Sequence, residues 1–327
     1  MTDLYTGDAL TILKQIPSGF CRTCVTSPPY YGLRDYGVSG QIGLENSVEE
    51  YIGKMVEIFR EVFRVLRDDG TLWINIGDSY ANRSGCQPPT NTRNSCGHTA
   101  KKVPKGYKYK DLIGIPWLLA FALRSDGWYL RQDIIWHKPN CMPESVRDRC
   151  TKSHEYIFLL SKKERYYFDA EAISEPIAES SAKRYLQNIE MQHGSDRLPG
   201  KTNGPMKAVL PRFGGEKYGD SEAEYTRSKS GNVYVPKPRK NKRDVWTVGT
   251  SGFRGAHFAT FPEKLVRPCI LAGSAPGDRV LDPFMGSGTT GVVAIKTGRD
   301  FVGIELNPEY ARMSFDRINK LQEGVGI

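Results

Sequence analysis

The sequence lacks any apolar run of the roughly 20 residues that a membrane-spanning helix needs. Its longest candidate, residues 115–123, is far shorter, and no basic-then-apolar signal peptide begins the chain. Cysteine is also sparse: the seven cysteines are scattered and odd in number, which favours reduced thiols over a disulfide framework. These absences predict a cytoplasmic protein with no membrane partner.

A zinc site has little support in the sequence. Cys21 and Cys24 form a Cys-x-x-Cys pair, but the nearest further ligands, Cys86, Cys96 and His98, do not follow a zinc-binding spacing. We therefore predict no metal site, and we interpret the thiols as buried structural residues.

What the sequence does have is enough length and apolar content for a large core. The chain has 327 residues, of which 39% are hydrophobic and 11% aromatic. Its net charge of +9 suits a polyanionic partner such as nucleic acid. A soluble surface that is merely basic would give the same charge, so composition alone leaves both interpretations open.

Helical and strand patterns alternate along most of the chain. Behind a capping box formed by Ser47 and Glu50, apolar residues recur at helical spacing as far as Gly70, and residues 71–79 follow as a buried strand. This alternation indicates an α/β fold with a parallel sheet. The further predicted elements are a helix in 112–128, strands in 129–140, 154–162 and 165–169, a helix in 257–274, and a strand–loop–helix–strand–helix run over 278–322.

Two segments break this alternation. Residues 81–110 are polar, basic and rich in glycine and proline, and are predicted to form a mobile loop. From about Glu175 to Lys242 the chain is polar and poor in periodicity, and it ends in the cationic run "KPRKNKRDVW". We predict a discontinuous catalytic and cofactor-binding domain of residues 1–174 plus 246–327, interrupted by an irregular insertion at 175–245.

The segment "VLDPFMGSGTTG" carries a G-x-G-x-x-G pattern at Gly286, Gly288 and Gly291. A strand precedes it, a helix follows, and the next strand ends at Glu305. In this layout the backbone approaches a nucleoside cofactor while a carboxylate binds ribose hydroxyls. A phosphate-binding P-loop is excluded because no Gly-Lys-Ser/Thr follows. A dinucleotide, S-adenosylmethionine and a ligand-free turn all remain compatible with the glycines alone.

Two motifs together resemble the amino-methylating DNA methyltransferases. "DPFMGSGTT" resembles their first motif, and "SPPY" at residues 27–30 resembles their catalytic motif, [D/N/S]-P-P-[Y/F/W]. The resemblance covers nearly the whole chain. It implies a Rossmann-like S-adenosylmethionine-dependent sheet with the permuted motif order of the β group: catalytic motif, target-recognition region, cofactor motif. It further implies a site-specific DNA methyltransferase with S-adenosyl-L-methionine as cofactor and double-stranded DNA as partner, in a prokaryotic or phage-encoded system.

The resemblance also assigns roles to residues. The Ser27 oxygen and the Pro28 carbonyl would accept hydrogen bonds from an exocyclic amine, Pro29 would stiffen the turn, and Tyr30 would stack on an extruded base. "IIWHKPN" and "SHEYIFLL" resemble the motif that lines the base pocket. The implied cofactor-binding residues are Asp8, Asp282, Phe284, Gly286, Gly288, Thr289, Glu305, Asn307, Phe258, Phe261 and Pro262.

The methyl group of the cofactor and the amine of the base must come together for methyl transfer. We therefore expect the strand before Ser27 to lie beside the strand that ends at Asp282. The resemblance also implies a target base: the family tends to carry serine at the first motif position when it methylates N4 of cytosine, so Ser27 favours N4-cytosine, with an N6-adenine DNA methyltransferase as the alternative. An RNA methyltransferase and a catalytically dead DNA-binding module are more remote. A homodimer and a cognate restriction endonuclease are further partners that the resemblance allows. Phosphate contacts are predicted for Lys237, Arg239, Lys240, Lys242 and Arg243, although a solvated linker would also explain them.

Overall fold

The computed structural model describes residues 2–81, 103–180, 227–228, 231–232, 239–250 and 262–324. It has two compact units, residues 1–173 with 243–327 and residues 174–242. The second unit differs from the predicted insertion by one residue at its start, 174 against 175, and by three at its end, 242 against 245. None of the described helices is long and apolar enough to cross a membrane.

The described elements begin and end as follows. The helices are α1 (Ala9–Leu13), α2 (Val48–Val65), α3 (Ile115–Ser125), α4 (Glu263–Gly273), α5 (Thr289–Lys296) and α6 (Pro308–Gln322). The strands are β1 (Thr2–Thr6), β2 (Cys21–Thr26), β3 (Leu66–Ile76), β4 (Tyr129–His137), β5 (His154–Ser161), β6 (Glu175–Pro176), β7 (Arg227–Ser228), β8 (Gly231–Asn232), β9 (Arg239–Lys240), β10 (Val245–Thr247), β11 (Arg279–Asp282) and β12 (Asp300–Glu305).

Eight strands of the first unit form one sheet in the order β1-β12-β11-β2-β3-β5-β4-β10. All neighbouring pairs are parallel except the two that involve β5, which runs against the other seven strands. The sheet carries one hydrophobic cluster built with α1, α2 and α3 and another built with α4, α5 and α6. The predicted α/β fold is therefore confirmed.

The strands β2 and β11 are neighbours, as the sequence predicts, with Leu281 paired to Cys24. From β2 the chain continues through α2 to β3 on one side, and from β11 through α5 to β12 on the other. The direction of winding therefore reverses between β2 and β11. Ligands of such sheets bind in the crevice beyond the carboxyl ends of the strands at this point.

The helix α2 confirms its predicted start and corrects its predicted end. The Ser47 hydroxyl accepts a hydrogen bond from the Glu50 backbone N–H at 3.1 Å, as a helix cap does. The helix ends at Val65 rather than near Gly70, because Leu66 is buried and pairs with Cys21 in the sheet. The residues after Val65 therefore lengthen β3.

The predicted strand at residues 165–169 is wrong. The backbone N–H of Tyr167 donates to the Asp69 carbonyl, and that of Asp169 donates to Ala272, so no continuous ladder forms with one partner. The aromatic side chains cover the sheet instead: the Phe168 ring stacks on Trp73 with 6.2 Å between centroids. Aromatic content alone had suggested a strand.

The second unit is described only in short pieces. Strand β6 pairs antiparallel with β9, and β7 pairs antiparallel with β8. Of the predicted loop at 81–110, residues 82–102 lie outside the described residues, and with them the candidate zinc ligands Cys86, Cys96 and His98. Within the described ranges no three His, Cys, Asp or Glu side chains are placed to hold a metal ion.

Candidate active site

The carboxyl ends of the strands open into a cavity of about 310 Å³. This volume is typical of a small-molecule site. The segments after β1, β2, β11 and β12 all contribute to it, as expected at a point where the winding reverses. The lining includes Asp8, Ser27, Pro28, Pro29, Tyr30, Asn75, Trp136, Lys138, Glu155, Phe284, Gly286, Thr289, Glu305 and Asn307.

The predicted catalytic corner, residues 27–30, lines the cavity directly after β2. Its two prolines fix the backbone φ and carry no N–H, so the strand cannot continue through them. The Tyr51 hydroxyl of α2 donates to the Pro29 carbonyl oxygen at 2.8 Å. The corner is therefore rigid and held against α2.

The Tyr30 side chain is fixed through its hydroxyl group. That hydroxyl donates to Glu155 Oε2 at 2.8 Å and accepts from Asn75 Nδ2 at 2.7 Å. Asn75 Nδ2 also lies 3.3 Å from Ser27 Oγ. Burial, with the charge of Glu155 as a second cause, raises the pKa of Tyr30 well above its ordinary value. Tyr30 therefore stays neutral and keeps its hydroxyl hydrogen for Glu155.

Gly77, just after β3, makes room for the Tyr30 ring. A Cβ at position 77 would lie 2.7 Å from Tyr30 Cε2 and 3.4 Å from the Glu155 carboxyl carbon. Carbon atoms do not approach as closely as 2.7 Å without a shift, so any larger residue would displace the ring. Gly77 thus determines where the predicted stacking surface lies.

An ion pair between Lys138 and Glu155 also lines the cavity. Their side chains are only 18% and 16% exposed, and the ammonium lies 4.2 Å from the centroid of the Trp136 ring. Lys138, Glu155 and Trp136 fall within "IIWHKPN" and "SHEYIFLL". The sequence predicts that these two segments line the base pocket, but it does not single out the three residues. Asn75 was missed altogether, although a polar residue inside the apolar run "LWINI" was a usable signal.

The glycine loop after β11 approaches the end of β12 closely. The Gly286 N–H donates to Glu305 Oε2 at 2.7 Å, and the Asn307 N–H donates to Glu305 Oε1 at 2.9 Å. Burial raises the pKa of Glu305 despite these donors. Gly288 does not line the cavity; it has φ of 77°, and a Cβ there would lie 2.8 Å from the Ser314 Cβ of α6. Gly288 therefore packs the loop against α6.

Four other predicted cofactor residues line the same cavity. The Phe284 ring packs on Phe59 at 6.5 Å, and the Asp8 carboxylate caps α1 by accepting from the Thr11 N–H at 2.8 Å. Thr289 begins α5 and Asn307 caps α6. A bare glycine backbone at one strand end and a carboxylate at the next fit a nucleoside cofactor such as S-adenosyl-L-methionine.

Asp282 is predicted to contact the cofactor, but its side chain is fully buried and is not part of the cavity wall. Its carboxylate accepts from the Thr26 hydroxyl at 2.6 Å, the Thr290 hydroxyl at 2.7 Å and the Phe284 N–H at 3.1 Å. Desolvation is the largest influence and raises the pKa of Asp282 to about 6. Asp282 therefore joins the end of β2 to the glycine loop.

Of the remaining predicted residues, the structure describes only part. Pro262 is buried at the start of α4 and does not line the cavity, while Phe258, Phe261 and Lys237 lie outside the described residues.

The other predicted phosphate contacts lie around β9 and just before β10. Lys242 Nζ donates to Glu175 Oε1 at 2.9 Å, and the Arg239 guanidinium donates to the Ser174 hydroxyl at 2.6 Å. Lys240 is half-buried on β9, and Arg243 is exposed in the first unit. Lys242 and Arg239 therefore already have partners within their own unit.

Comparisons with known proteins agree with this geometry. A family model described as DNA methylase matches residues 21–316. The Type II methyltransferase M.Cfr9I of Citrobacter freundii is 47% identical over 317 residues, which is 96% of this chain and 87% of the relative.

Two solved structures share the fold. The cytosine-N4-specific PvuII DNA methyltransferase aligns with a TM-score of 0.59 at 19% identity, covering 100% of this chain and 97% of that one. The M1.HpyAVI–SAM complex aligns with a TM-score of 0.53 at 18% identity, covering 98% of this chain and 100% of that one.

Proposed function

The chain belongs to the N6/N4 family of DNA methylases. We propose that it transfers a methyl group from S-adenosyl-L-methionine to N4 of a cytosine flipped out of duplex DNA. The observation that carries the proposal is the position of Ser27. Its strand lies directly beside the strand of the glycine loop, and the Thr26–Asp282 hydrogen bond of 2.6 Å joins the two strand ends.

The corner residues would prepare the amine for attack. An exocyclic amine is a weak nucleophile because its lone pair is delocalised into the ring, so positioning and desolvation supply much of the rate enhancement. In our proposal the amine hydrogens donate to Ser27 Oγ and to the Pro28 carbonyl oxygen. Asn75 Nδ2, 3.3 Å from Ser27 Oγ, orients that hydroxyl. Tyr30 stacks on the base.

The cofactor, when bound, supplies a methyl group activated by its sulfonium. The chain's own residues would hold it against the glycine loop: Gly286 gives close access to the backbone, and the Glu305 carboxylate stands at the end of β12. The Glu305 carboxylate would exchange its present contacts with the Gly286 and Asn307 N–H groups for ribose hydroxyls, at least in part.

Cytosine is favoured over adenine by the first residue of the corner. Ser27 stands where the amino methyltransferases that act on cytosine tend to carry serine, and the fold neighbour from the PvuII system is cytosine-N4-specific. The basic residues of 175–245 would bind the phosphates of the DNA backbone as part of a target-recognition region. We also propose two protein partners for the chain: a second copy of itself, in a homodimer, and a cognate restriction endonuclease.

The product identifies the target base. We expect N4-methylcytosine, and no N6-methyladenine, when nucleosides from DNA treated with the protein and S-adenosyl-L-methionine are separated by mass spectrometry. A reaction without S-adenosyl-L-methionine is the control and should show neither. Finding N6-methyladenine alone would replace cytosine by adenine in the proposal, and methylation of RNA in preference to duplex DNA would overturn it.

Gly77→Ala should lower the turnover number by roughly 10-fold, because the new Cβ pushes the Tyr30 ring out of the position in which it stacks. Steady-state kinetics of DNA methylation measure the effect, and thermal unfolding checks that the fold survives. Gly53→Ala is the matched control: apart from the adjoining backbone of α2, no atom lies within 4 Å of its Cβ, so turnover should not change, while α2 gains about 0.5–1 kcal/mol. Unchanged turnover in Gly77→Ala would show that the ring position does not matter.

A further inference from the structure

We propose that Lys138 is a specificity-determining residue that donates a hydrogen bond to O2 of the flipped cytosine. This inference rests on the proposed function. It adds to that function a residue that recognises the base ring at an atom other than the amine. It is carried by the contacts that place one buried ammonium near the catalytic corner.

Lys138 is tied to the corner by a short chain of contacts. Ser27 Oγ lies 3.3 Å from Asn75 Nδ2, which lies 3.2 Å from Glu155 Oε2, and the other oxygen of the Glu155 carboxylate pairs with Lys138 Nζ. All four side chains line the same cavity. The amine site and the ammonium are therefore separated by one amide nitrogen and one carboxylate group.

The Lys138 ammonium is held in position and still has N–H groups that can donate to a ligand. It carries three N–H groups, of which Glu155 takes one. The Trp136 ring, 4.2 Å from Nζ, holds the charge from another side. Among the described residues no other acceptor contacts the Lys138 ammonium. A base that enters the cavity would therefore meet a fixed N–H donor in a largely water-excluded place.

The two candidate bases differ at the atom that this donor would meet. With its amine at the Ser27 corner, cytosine presents N3 beside the amine-bearing carbon and the O2 carbonyl one atom further along. Adenine presents N1 at the first position and a C–H at the second. A lysine that reaches the second position therefore favours cytosine, while adenine would leave one N–H group of the ammonium without an acceptor.

Oxygen-to-sulfur substitution at the base tests the contact directly. The methylated site is first mapped by sequencing, and duplexes are then made with either cytosine or 2-thiocytosine at the target, since sulfur is a much weaker acceptor. Wild-type enzyme should show kcat/KM about 10-fold lower for the thio duplex, the size expected for one charge-assisted hydrogen bond. In Lys138→Met this ratio should fall to below about twofold, with kcat/KM for cytosine itself reduced by about 10-fold or more.

The controls separate recognition from structural damage. Damage to the site lowers kcat/KM for both duplexes and leaves their ratio as in wild type. Glu155→Gln keeps the ammonium and an acceptor beside it, so the ratio should persist even if turnover falls. Lys163→Met removes an exposed lysine that pairs with Asp68 at the other edge of the sheet, and should match wild type in both rate and ratio.

Two results would overturn the inference, and they are distinguishable. If N4-methylcytosine is formed but Lys138→Met keeps the wild-type thio ratio, Lys138 does not contact O2 and the proposed function stands. If the product is N6-methyladenine, the proposed function fails and the inference fails with it.

Discussion

Tyr30→Ala should lower the turnover number for DNA methylation by about 100-fold, because stacking on an aromatic side chain contributes roughly 1–3 kcal/mol per base and alanine offers no ring at this position. The affinity for S-adenosyl-L-methionine should stay within about threefold, since the glycine loop and Glu305 do not depend on Tyr30. Single-turnover kinetics measure the first quantity and titration calorimetry the second.

Tyr30→Phe is the matched variant. It keeps the ring but removes the hydroxyl that joins Glu155 and Asn75, so the ring loses its anchor and those two groups lose a partner. We expect a turnover about 10-fold below wild type, between the alanine variant and the native protein. Full turnover in Tyr30→Ala would contradict the stacking role, and equal losses in both variants would assign the effect to the hydroxyl alone.

Asp282→Asn should abolish a pH dependence of stability that amounts to about 3 kcal/mol. The pKa of Asp282 is about 6 in the folded protein, against an ordinary value of 3.8. Between pH 4 and pH 6 the folded state therefore binds more protons than the unfolded state. The free energy of unfolding should fall as the pH rises through this window and level off above it.

Asparagine suits this position because it has the same shape and no charge to desolvate. Its oxygen can accept from Thr26 and the Phe284 N–H, and its amide can donate to Thr290, whose hydroxyl can turn to the Val25 carbonyl oxygen 3.2 Å away. Urea unfolding of both proteins from pH 4 to pH 7.5 gives the difference between their free energies of unfolding at each pH. The contributions of the other acidic groups cancel in this difference. Parallel curves would mean that Asp282 titrates normally.

The same variant tests the predicted cofactor contact of Asp282. Because this side chain does not line the cavity, Asp282→Asn should bind S-adenosyl-L-methionine within about threefold of wild type. A loss of 10-fold or more would restore the direct contact that the sequence suggested. Glu305→Gln is a useful comparison, since its carboxylate does line the cavity.

Motifs whose chemistry depends on local backbone could be predicted from the sequence. Proline at positions 28 and 29 must end a strand, and glycine at 286 and 288 permits left-handed backbone, so the sequence alone predicts both loops at strand ends. The pairing of β2 with β11 followed from the need for donor and acceptor to meet. The α/β fold followed from the periodicity.

Contacts between distant segments could not be predicted in the same way. Asn75 and Glu155 lie on β3 and β5, and Lys138 directly follows β4, so only the sheet order places them around Tyr30. The antiparallel direction of β5 is decisive, because it brings the amino end of that strand, with Glu155, to the edge where the parallel strands have their carboxyl ends. Similarly, the burial and hydrogen bonding of Asp282 depend on Thr26 at the end of β2 and on Thr290 in α5.

The pairing of β2 with β11 has a consequence for how the protein is made. The partners in the Thr26–Asp282 hydrogen bond are 256 residues apart, so one edge of β2 lacks its partner strand until most of the chain has left the ribosome. Long-range pairing of this kind slows folding and leaves a strand edge open to other chains. We therefore expect nascent or truncated chains that end before β11 to aggregate, and coexpressed chaperones to raise the soluble yield.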